Sequence, residues 1–238
     1  MQRIFITGAG RGIGLELTRQ YVQRGDRVLA GCRTPERAPA LRELLNQHGG
    51  SLSVIPLEVT DTNSIVQAVR LVGREIDGLD VLINNAATNP GDAHSMGPDG
   101  QPILDAAQAV EILRVNAVAP VVVAQSFLAL LRAGANPRIV NISSGAGSLT
   151  RKTEGGDYIY AASKATLNMF TRVLAGNMRG EGVTAVMINP GWVKTDMGGP
   201  NAHLEPAESA HGLLSVIDGL TLADSGRFLS YDGSELPW

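Results

Sequence analysis

Tyr160 and Lys164 stand four residues apart in a segment whose pattern predicts a helix at residues 158–180. Residues four apart on a helix share one face, so the phenol and the ammonium should lie side by side. A tyrosine has an ordinary pKa of about 10, and an adjacent cation lowers it by stabilising the phenolate. Such a tyrosine could exchange a proton with a carbonyl or alcohol oxygen near neutral pH. The alternative is a Tyr/Lys pair on a solvated helix face.

Two more positions could take part in this chemistry. The predicted strand at 138–142 ends in two hydroxyls, Ser143 and Ser144, which could hydrogen-bond a substrate oxygen or merely cap the loop. Asn116 and Pro120 are four apart in a predicted helix at 104–132. Because proline has no N–H, the Asn116 carbonyl loses its helical partner. That carbonyl could hold a water that feeds protons to Lys164, or the helix could simply kink.

A glycine-rich segment connects the first predicted strand to the first helix, and it reads Thr7-Gly8-Ala9-Gly10-Arg11-Gly12-Ile13-Gly14. Gly8 would allow a sharp turn, Gly12 would let the backbone approach a pyrophosphate, and Gly14 would let the helix pack against the strand. The helix N-terminus would offer free N–H groups to the phosphates. Without the β-α-β context, an ordinary tight turn would explain the glycines equally well.

The end of the second predicted strand decides which nicotinamide cofactor the site prefers. A carboxylate there would hydrogen-bond the adenosine ribose and repel a 2′-phosphate. The chain instead reads Gly31-Cys32-Arg33-Thr34, and Arg11 lies in the glycine segment. Two guanidinium groups and no carboxylate favour NADPH over NADH. The alternative is that both arginines are solvated surface residues.

These candidates need a scaffold, and the chain alternates short apolar runs with amphipathic helical segments. Predicted strands cover 3–7, 27–32, 52–59, 80–84, 138–142, 183–188 and 226–229, and predicted helices cover 12–24, 36–48, 62–76, 104–132, 158–180 and 206–219. Strict alternation predicts a single α/β domain over residues 1–238, with a doubly wound, Rossmann-type parallel sheet and helices on both faces. Long polar loops at 88–102, 145–157 and 191–205 follow strands, at the sheet edge where such folds bind ligands.

Bulk properties exclude several classes of function. The 238 residues carry a net charge of −3 and no basic run, so nucleic acid is not an expected partner. The four histidines are far apart and Cys32 is the single cysteine, so we expect no metal site and a reducing compartment. No signal-peptide pattern is present, and the uncharged run at 115–131 is short for a membrane span. We therefore expect a cytoplasmic protein that is not attached to a membrane.

Taken together, these blocks resemble the short-chain dehydrogenase/reductase family along nearly the whole chain. The matching blocks are residues 7–14, Asn84-Asn85-Ala86, Asn116, Ser144, Tyr160 with Lys164, and Pro190-Gly191, all in the family's order. The resemblance implies a seven-stranded parallel sheet. It also implies reversible hydride transfer between a nicotinamide and a carbonyl or alcohol.

The resemblance also implies roles for single residues. Tyr160 matches the general acid of the reducing direction, Lys164 the residue that lowers its pKa and holds the nicotinamide ribose, Ser144 the substrate-orienting serine and Asn116 the water-binding asparagine. The expected cofactor set is Gly8, Arg11, Gly12, Ile13, Gly14, Arg33, Asn85, Ala86, Tyr160, Lys164, Pro190, Gly191, Val193 and Thr195. Ser144, Tyr160 and Trp192 form the expected substrate set.

Three positions depart from the family pattern: Ala87 replaces a usual glycine, Glu58 a frequent aspartate, and the interval from Ser144 to Tyr160 is long. Within the family, residues 191–200 and 231–238 resemble the sniffer-type carbonyl reductases and the bacterial C-factor signalling proteins. The main interpretation is thus NADPH-dependent reduction of a ketone, aldehyde or quinone. The rival is a nucleotide-binding signalling or sensor protein on the same fold.

Two further expectations concern apolar side chains. Trp192, next to Pro190-Gly191, could pack against an apolar substrate or anchor its loop on the core, and the following glycines would let the loop move as a lid. The helices at 104–132 and 158–180 carry more apolar surface than one sheet face needs, so we expect a homodimer or homotetramer. Full burial within the monomer is the alternative. The examples are Val121, Val122, Val123, Phe127, Leu130, Leu131 and Met169.

Overall fold

The strands form one seven-stranded sheet in the order β3-β2-β1-β4-β5-β6-β7, and every neighbouring pair is parallel. The computed structural model describes residues 1–89, 97, 100, 103–154 and 157–238. The strands are β1 (Arg3–Thr7), β2 (Arg27–Cys32), β3 (Leu52–Pro56), β4 (Val81–Asn84), β5 (Arg138–Ile142), β6 (Thr184–Asn189) and β7 (Phe228–Ser230). The predicted fold class is confirmed. Most of the loop predicted at 88–102, with His94, and residues 155–156 lie outside the described residues.

Helices cover both faces of the sheet, which explains why the strands are apolar throughout. They are α1 (Gly12–Gln23), α2 (Pro39–His48), α3 (Thr62–Val72), α4 (Ala106–Leu113), α5 (Ala119–Ser126), α6 (Leu128–Arg132), α7 (Tyr158–Met178) and α8 (Pro206–Gly219). On one face, α1, α2 and α8 bury Ile4 and Ile6. On the other face, Phe5 packs among apolar residues of α3, α5 and α7. The side chains of β1 thus point alternately into two cores.

The helix predicted at 104–132 is wrong as a continuous element. It is divided into α4, a π turn at Arg114–Val118, α5 and α6. In the π turn the Ala119 N–H reaches back five residues to the carbonyl of Arg114. Pro120 has no N–H to donate, so regular bonding could not continue through this position. The break places Asn116 inside the π turn, a local geometry that is frequent at functional sites.

Two boundaries also differ, each for a local reason. The third strand ends at Pro56, not at 59, because the Glu58 N–H bonds the Ser64 hydroxyl and a turn begins. The second helix starts at Pro39, after a 3-10 turn at Pro35–Arg37. Proline suits the first position of a helix, where no N–H is needed.

The segment Ala106–Ser126 is long and apolar enough to cross a membrane by length and composition alone, and 39% of its most apolar 18-residue window is buried inside the protein. Its three parts, α4, the π turn and α5, all pack against α7. Three of the residues named as excess apolar surface, Val123, Phe127 and Leu131, are fully buried within the protomer. They therefore do not support the prediction of a homo-oligomer. Met169 is 63% exposed, beside Phe170 and Val173 on α7, so the homo-oligomer stays a prediction.

Candidate active site

The carboxyl ends of β1 and β4 are locked together where the strand order reverses, which is the usual ligand crevice of such sheets. The Thr7 hydroxyl accepts hydrogen bonds from the N–H groups of Asn85 and Ala86, both at 3.0 Å. The Asn85 amide donates in turn to the carbonyls of Thr7 at 3.0 Å and Gly8 at 3.1 Å. Asn85 and Ala86 are therefore fixed beside the glycine turn, as two residues of the expected cofactor set should be.

The glycine turn has no room for side chains at two positions. Gly8 has a φ of +67°, and a Cβ there would lie 2.8 Å from the Ala86 Cα. A Cβ on Gly14 would overlap the Gly8 carbonyl oxygen and the Asn85 amide. The first helix can therefore approach the strand end closely, so that the chain enters α1 directly at the sheet edge.

The N-terminus of α1 is suited to a phosphate group. Among the described residues no side chain caps it, and its first residue, Gly12, has a φ of +56°. Uncapped N–H groups at a helix start bind phosphate oxygens. A Cβ on Gly12 would lie 3.3 Å from the Thr195 methyl group. The segment around Thr195 thus forms the opposite wall of this cradle, and the residues present fit a dinucleotide.

The two arginines proposed for the 2′-phosphate each face a carboxylate. Arg33 lies at the end of β2, is 76% exposed, and has its Nη1 3.7 Å from a Glu58 oxygen. Arg11 forms a 2.6 Å ion pair with Asp196 across the cradle. The end of β2 carries Arg33 and no acid, as the sequence indicates, but Glu58, which follows β3, brings a carboxylate near that guanidinium. At 3.7 Å and largely in solvent, the Arg33 pair is weak, so its guanidinium can still bind a phosphate.

Ser144 and Tyr160 line one cleft, and this is the central finding about the site. The cleft has a volume of about 630 Å³ and is bounded by Ser144, Tyr160, Trp192, Thr195 and Ile13, among others. Ser144 follows β5, is partly exposed, and also accepts the Ala146 N–H at 3.1 Å. The Ser144 hydroxyl can therefore cap the turn that follows and still face the cleft. Ser143 is buried and donates to Asn168 at 2.6 Å, so it faces the core instead.

The environment of Tyr160 reverses one expectation. Burial raises the pKa of Tyr160 above its ordinary value, and a hydrogen bond with the Ser144 hydroxyl opposes that rise. The Lys164 ammonium lies 5.8 Å from the ring centroid and donates to the Ile142 carbonyl at 2.9 Å. The expected lowering by an adjacent ammonium is therefore wrong for this structure, because desolvation dominates. A phenol that stays protonated at neutral pH can still donate a proton.

Lys164 is itself strongly perturbed. It is 2% exposed, and burial lowers its pKa to about 8. Burial penalises the charged form of an amine, so the ammonium loses its proton near the upper end of the physiological range. The amine is held by the carbonyl at the end of β5, one turn of helix beyond Tyr160. Burial and this hydrogen bond thus define the environment of the amine.

Asn116 has its side chain fully engaged. Its amide N–H donates to the Thr88 carbonyl at 2.8 Å and to the Ser163 hydroxyl at 3.1 Å, and its oxygen accepts the Thr88 N–H at 2.8 Å. Ser163 then donates to the Tyr160 carbonyl at 2.7 Å. The asparagine thus ties the loop after β4 to the start of α7. The expected water relay would have to use its main-chain carbonyl, and it stays a prediction.

The segment after β6 forms the far wall of the cleft. The Pro190 carbonyl accepts the Ser209 hydroxyl at 2.7 Å, and Gly191 has a φ of +82°, with Leu204 where a Cβ would stand. Val193 is buried and bridges to Leu204. These contacts hold the chain in a tight turn that presents the next residues to the cleft.

The position of Trp192 is compatible with both roles considered for it. Its indole N–H donates to the Gly198 carbonyl at 2.7 Å, and its ring meets His203 edge-on at 5.0 Å. The side chain is nevertheless 51% exposed and lines the cleft. One face is therefore available for an apolar group while the N–H fixes the loop.

Several cleft residues were missed from the sequence. Asn189 accepts the Gly145 N–H at 3.0 Å and so positions the residue after Ser144. Met197 and Arg151 also line the cleft. Asn189 precedes Pro190-Gly191, which could have drawn attention to it. Arg151 lies in a loop noted only for its length, and no sequence signal shows that its side chain turns inward.

Comparison with known proteins agrees with this geometry. The family model described as short chain dehydrogenase matches residues 2–205. The C-signal protein of Myxococcus xanthus is 44% identical over 160 residues, which are 67% of this chain and 93% of that protein. An NADPH-bound carbonyl reductase from chicken fatty liver has a TM-score of 0.91 at 35% identity, covering 100% of this chain and 99% of its own. The carbonyl reductase Sniffer of D. melanogaster also has a TM-score of 0.91, at 30% identity with 100% of both chains covered.

These matches confirm the resemblance to sniffer-type carbonyl reductases and C-factor-like proteins. The family model and the shared fold span most of the chain, and the glycine turn and the Ser144–Tyr160 cleft lie at one sheet edge. The chain belongs to the short-chain dehydrogenase/reductase family.

Proposed function

We propose that this protein reduces a carbonyl group of a ketone, aldehyde or quinone to an alcohol, with NADPH as the cofactor. The observation that supports it most is that Ser144 and Tyr160 line one cleft, which Ile13 at the uncapped start of α1 also lines, with the buried Lys164 amine 5.8 Å from the Tyr160 ring centroid. The likeness to an NADPH-bound carbonyl reductase supports the choice of cofactor and reaction. NADPH bound at the glycine turn would supply the hydride.

The side chains of the cleft supply the remaining steps. Ser144 donates a hydrogen bond that orients the substrate oxygen, and Tyr160 Oη donates its proton to that oxygen as hydride reaches the carbon. The Lys164 ammonium stabilises the phenolate that remains. Gly8, Gly12, Ile13 and Gly14 hold the pyrophosphate, while Pro190, Gly191, Val193 and Thr195 form the wall beside the nicotinamide. Asn116 holds the start of α7 in place through its hydrogen bonds with Thr88 and Ser163.

The proposal is tested by following NADPH oxidation at 340 nm with a panel of aldehydes, ketones and quinones. We expect turnover of at least one class, with NADPH strongly preferred over NADH. NADPH binding without oxidation by any carbonyl would contradict the enzymatic part. The likeness to C-signal favours a second candidate, a nucleotide-binding signalling protein on the same fold, and that result would support it.

Related proposals complete the function. We propose that residues 1–238 act as one NADP-binding domain, that the protein is soluble and cytoplasmic, and that it acts on small molecules as a homodimer or homotetramer without nucleic acid or membrane partners. Among the described residues no three His, Cys, Asp or Glu side chains gather as metal ligands. The proposed chemistry requires no such ligands, because the proton comes from Tyr160.

The lowered pKa of Lys164 gives an expected pH profile. Below pH 8 the amine is charged and stabilises the phenolate, and above its pKa of about 8 this charge is lost. The rate of carbonyl reduction should therefore fall as the pH rises through about 8. Lys164→Arg keeps a charge at all these pH values, so its profile should lack this break, although its rate is lower. Lys152→Arg is the matched control, and a break that persists in Lys164→Arg would contradict the assignment.

Trp192→Ala separates the two roles of that side chain. Loss of the indole face should raise KM for apolar carbonyls and change their ranking, because the contact is made in the cleft. Trp192→Phe keeps an aromatic face but loses the bond to the Gly198 carbonyl, so it isolates the anchoring role. We expect the ratio of KM values for an aromatic and an aliphatic ketone to change more from wild type in Trp192→Ala than in Trp192→Phe. A lower melting temperature with unchanged substrate ranking in both variants would assign Trp192 to loop anchoring alone.

A further inference from the structure

The described lining of the cleft beside Tyr160 carries one ionised side chain, that of Arg151. Among the described residues that line it, Arg151 is the only charged one, and the others are apolar or neutral. No Asp or Glu of the described lining balances it. A single uncompensated cation in a cleft raises the local concentration of anionic ligands and orients them.

Arg151 lies on the side of Ser144, away from the phosphate cradle. A methyl group placed on Gly145, the residue after Ser144, would be 3.4 Å from Arg151 Nη1. The cradle at the start of α1 instead faces Thr195. The guanidinium is therefore placed to contact a substrate whose carbonyl oxygen meets Ser144 and Tyr160.

The turn that carries Arg151 is pinned at several points. The Arg151 N–H donates to the Ser148 hydroxyl at 3.2 Å, and that hydroxyl donates to the Pro237 carbonyl at 2.7 Å. The Thr150 N–H donates to the Trp238 main-chain oxygen at 2.6 Å. The backbone of this loop is thus held by the chain segment after β7, and only the arginine side chain has to adjust to a ligand.

The guanidinium has no competing partner in the described part of the chain. Other arginines, such as Arg3, Arg11 and Arg132, form ion pairs with carboxylates. No ion pair or side-chain hydrogen bond with a described residue engages Arg151. An arginine that is free and held at a cleft wall can bind a carboxylate through two parallel hydrogen bonds.

We infer that the preferred substrate is a carbonyl compound with a carboxylate, which Arg151 binds while Ser144 and Tyr160 bind the carbonyl oxygen. This inference rests on the proposed function for its reaction. Bound NADPH would supply a hydride, one proton with two electrons, to the carbonyl carbon, and Tyr160 gives a proton to the oxygen. The products are the hydroxy carboxylate and NADP⁺, and the carboxylate itself takes no part in the redox step.

The test compares two aldehydes that differ in charge, 4-carboxybenzaldehyde and its neutral methyl ester, on the whole protein with NADPH. Wild type should prefer the carboxylate, and added salt should reduce that preference. Arg151→Gln should lower kcat/KM for the carboxylate by about tenfold, a moderate effect because the cleft is open to solvent. The ester should change by less than about twofold, within the usual range of a surface change. Lys152→Gln removes a charge from the next residue and should leave both aldehydes unaffected.

A binding measurement separates this inference from the proposed reaction. NMR titration of the NADP⁺ complex with 4-methylbenzoate, which cannot be reduced, should show weaker binding to Arg151→Gln than to wild type. Arginine-dependent binding without reduction of either aldehyde, or of any ketone or quinone in the panel above, would keep the carboxylate site and overturn the proposed function. Reduction of both aldehydes with no effect of Arg151→Gln on rate or binding would overturn the inference and keep the reaction. Absence of both turnover and arginine-dependent binding would overturn both.

Discussion

Replacing Tyr160 with phenylalanine should slow carbonyl reduction by about a hundredfold to ten-thousandfold, the usual contribution of a general acid. The variant keeps the partly buried ring in the first turn of α7, so the fold and the cofactor site should persist. Only the proton donor is lost. Rates under saturating NADPH, together with the NADPH dissociation constant, check the expectation.

Tyr158 provides a control for this experiment. It is two residues away on the same helix, is 57% exposed, and does not line the cleft. Tyr158→Phe should therefore retain nearly full activity. A Tyr160→Phe variant with near wild-type turnover would mean that another group donates the proton, and loss of activity in Tyr158→Phe would identify Tyr158 as that group.

Replacing Arg33 with aspartate should reverse the cofactor preference. The substitution removes a cation that can bind a 2′-phosphate and adds a carboxylate that repels it while accepting the ribose hydroxyls of NADH. We expect NADPH affinity to fall by about tenfold to a hundredfold and NADH affinity to rise. Dissociation constants of both cofactors, measured by fluorescence titration, provide the test.

Two further variants make this test specific. Arg42→Asp makes the same charge change at an exposed position on α2, and it should affect the cofactors little. Glu58→Gln removes the carboxylate 3.7 Å from Arg33, so it should tighten NADPH binding. A wild-type protein that prefers NADH would refute the assignment of Arg33, whatever the variants do.

The fold could be predicted because its main features are local in sequence. Apolar runs such as Arg3–Thr7 and Arg27–Cys32 define buried parallel strands, and the glycines at 8, 12 and 14 mark a turn whose packing excludes side chains. The sequence also predicts Tyr160 and Ser144 at one sheet edge, because Ser144 follows a strand and Tyr160 begins the next helix. The structure places them together in the cleft.

What the sequence does not reveal depends on contacts between distant segments. Burial raises the pKa of Tyr160, whereas the sequence predicted that Lys164 would lower it. The spacing of two residues in the sequence does not show how deeply they are buried. Glu58 approaches Arg33 only because β2 and β3 are neighbours in the sheet. The π turn before Pro120 arises where the regular helical hydrogen bonds are interrupted, and the Ala119 N–H bonds the Arg114 carbonyl five residues back. The spacing of apolar residues does not indicate such a turn.

The attachment of the Arg151 turn to residues 237 and 238 has a consequence for engineering and for the divergence of related enzymes. The bonds span 89 residues from Ser148 to Pro237 and use main-chain oxygens of the tail. Side-chain changes in the tail therefore leave them available, whereas a one-residue insertion would shift which oxygens face the turn. A chimera that exchanges residues 145–154 with a relative should receive residues 228–238 from the same parent. The two segments form one structural unit, although 89 residues separate Ser148 from Pro237 in the chain.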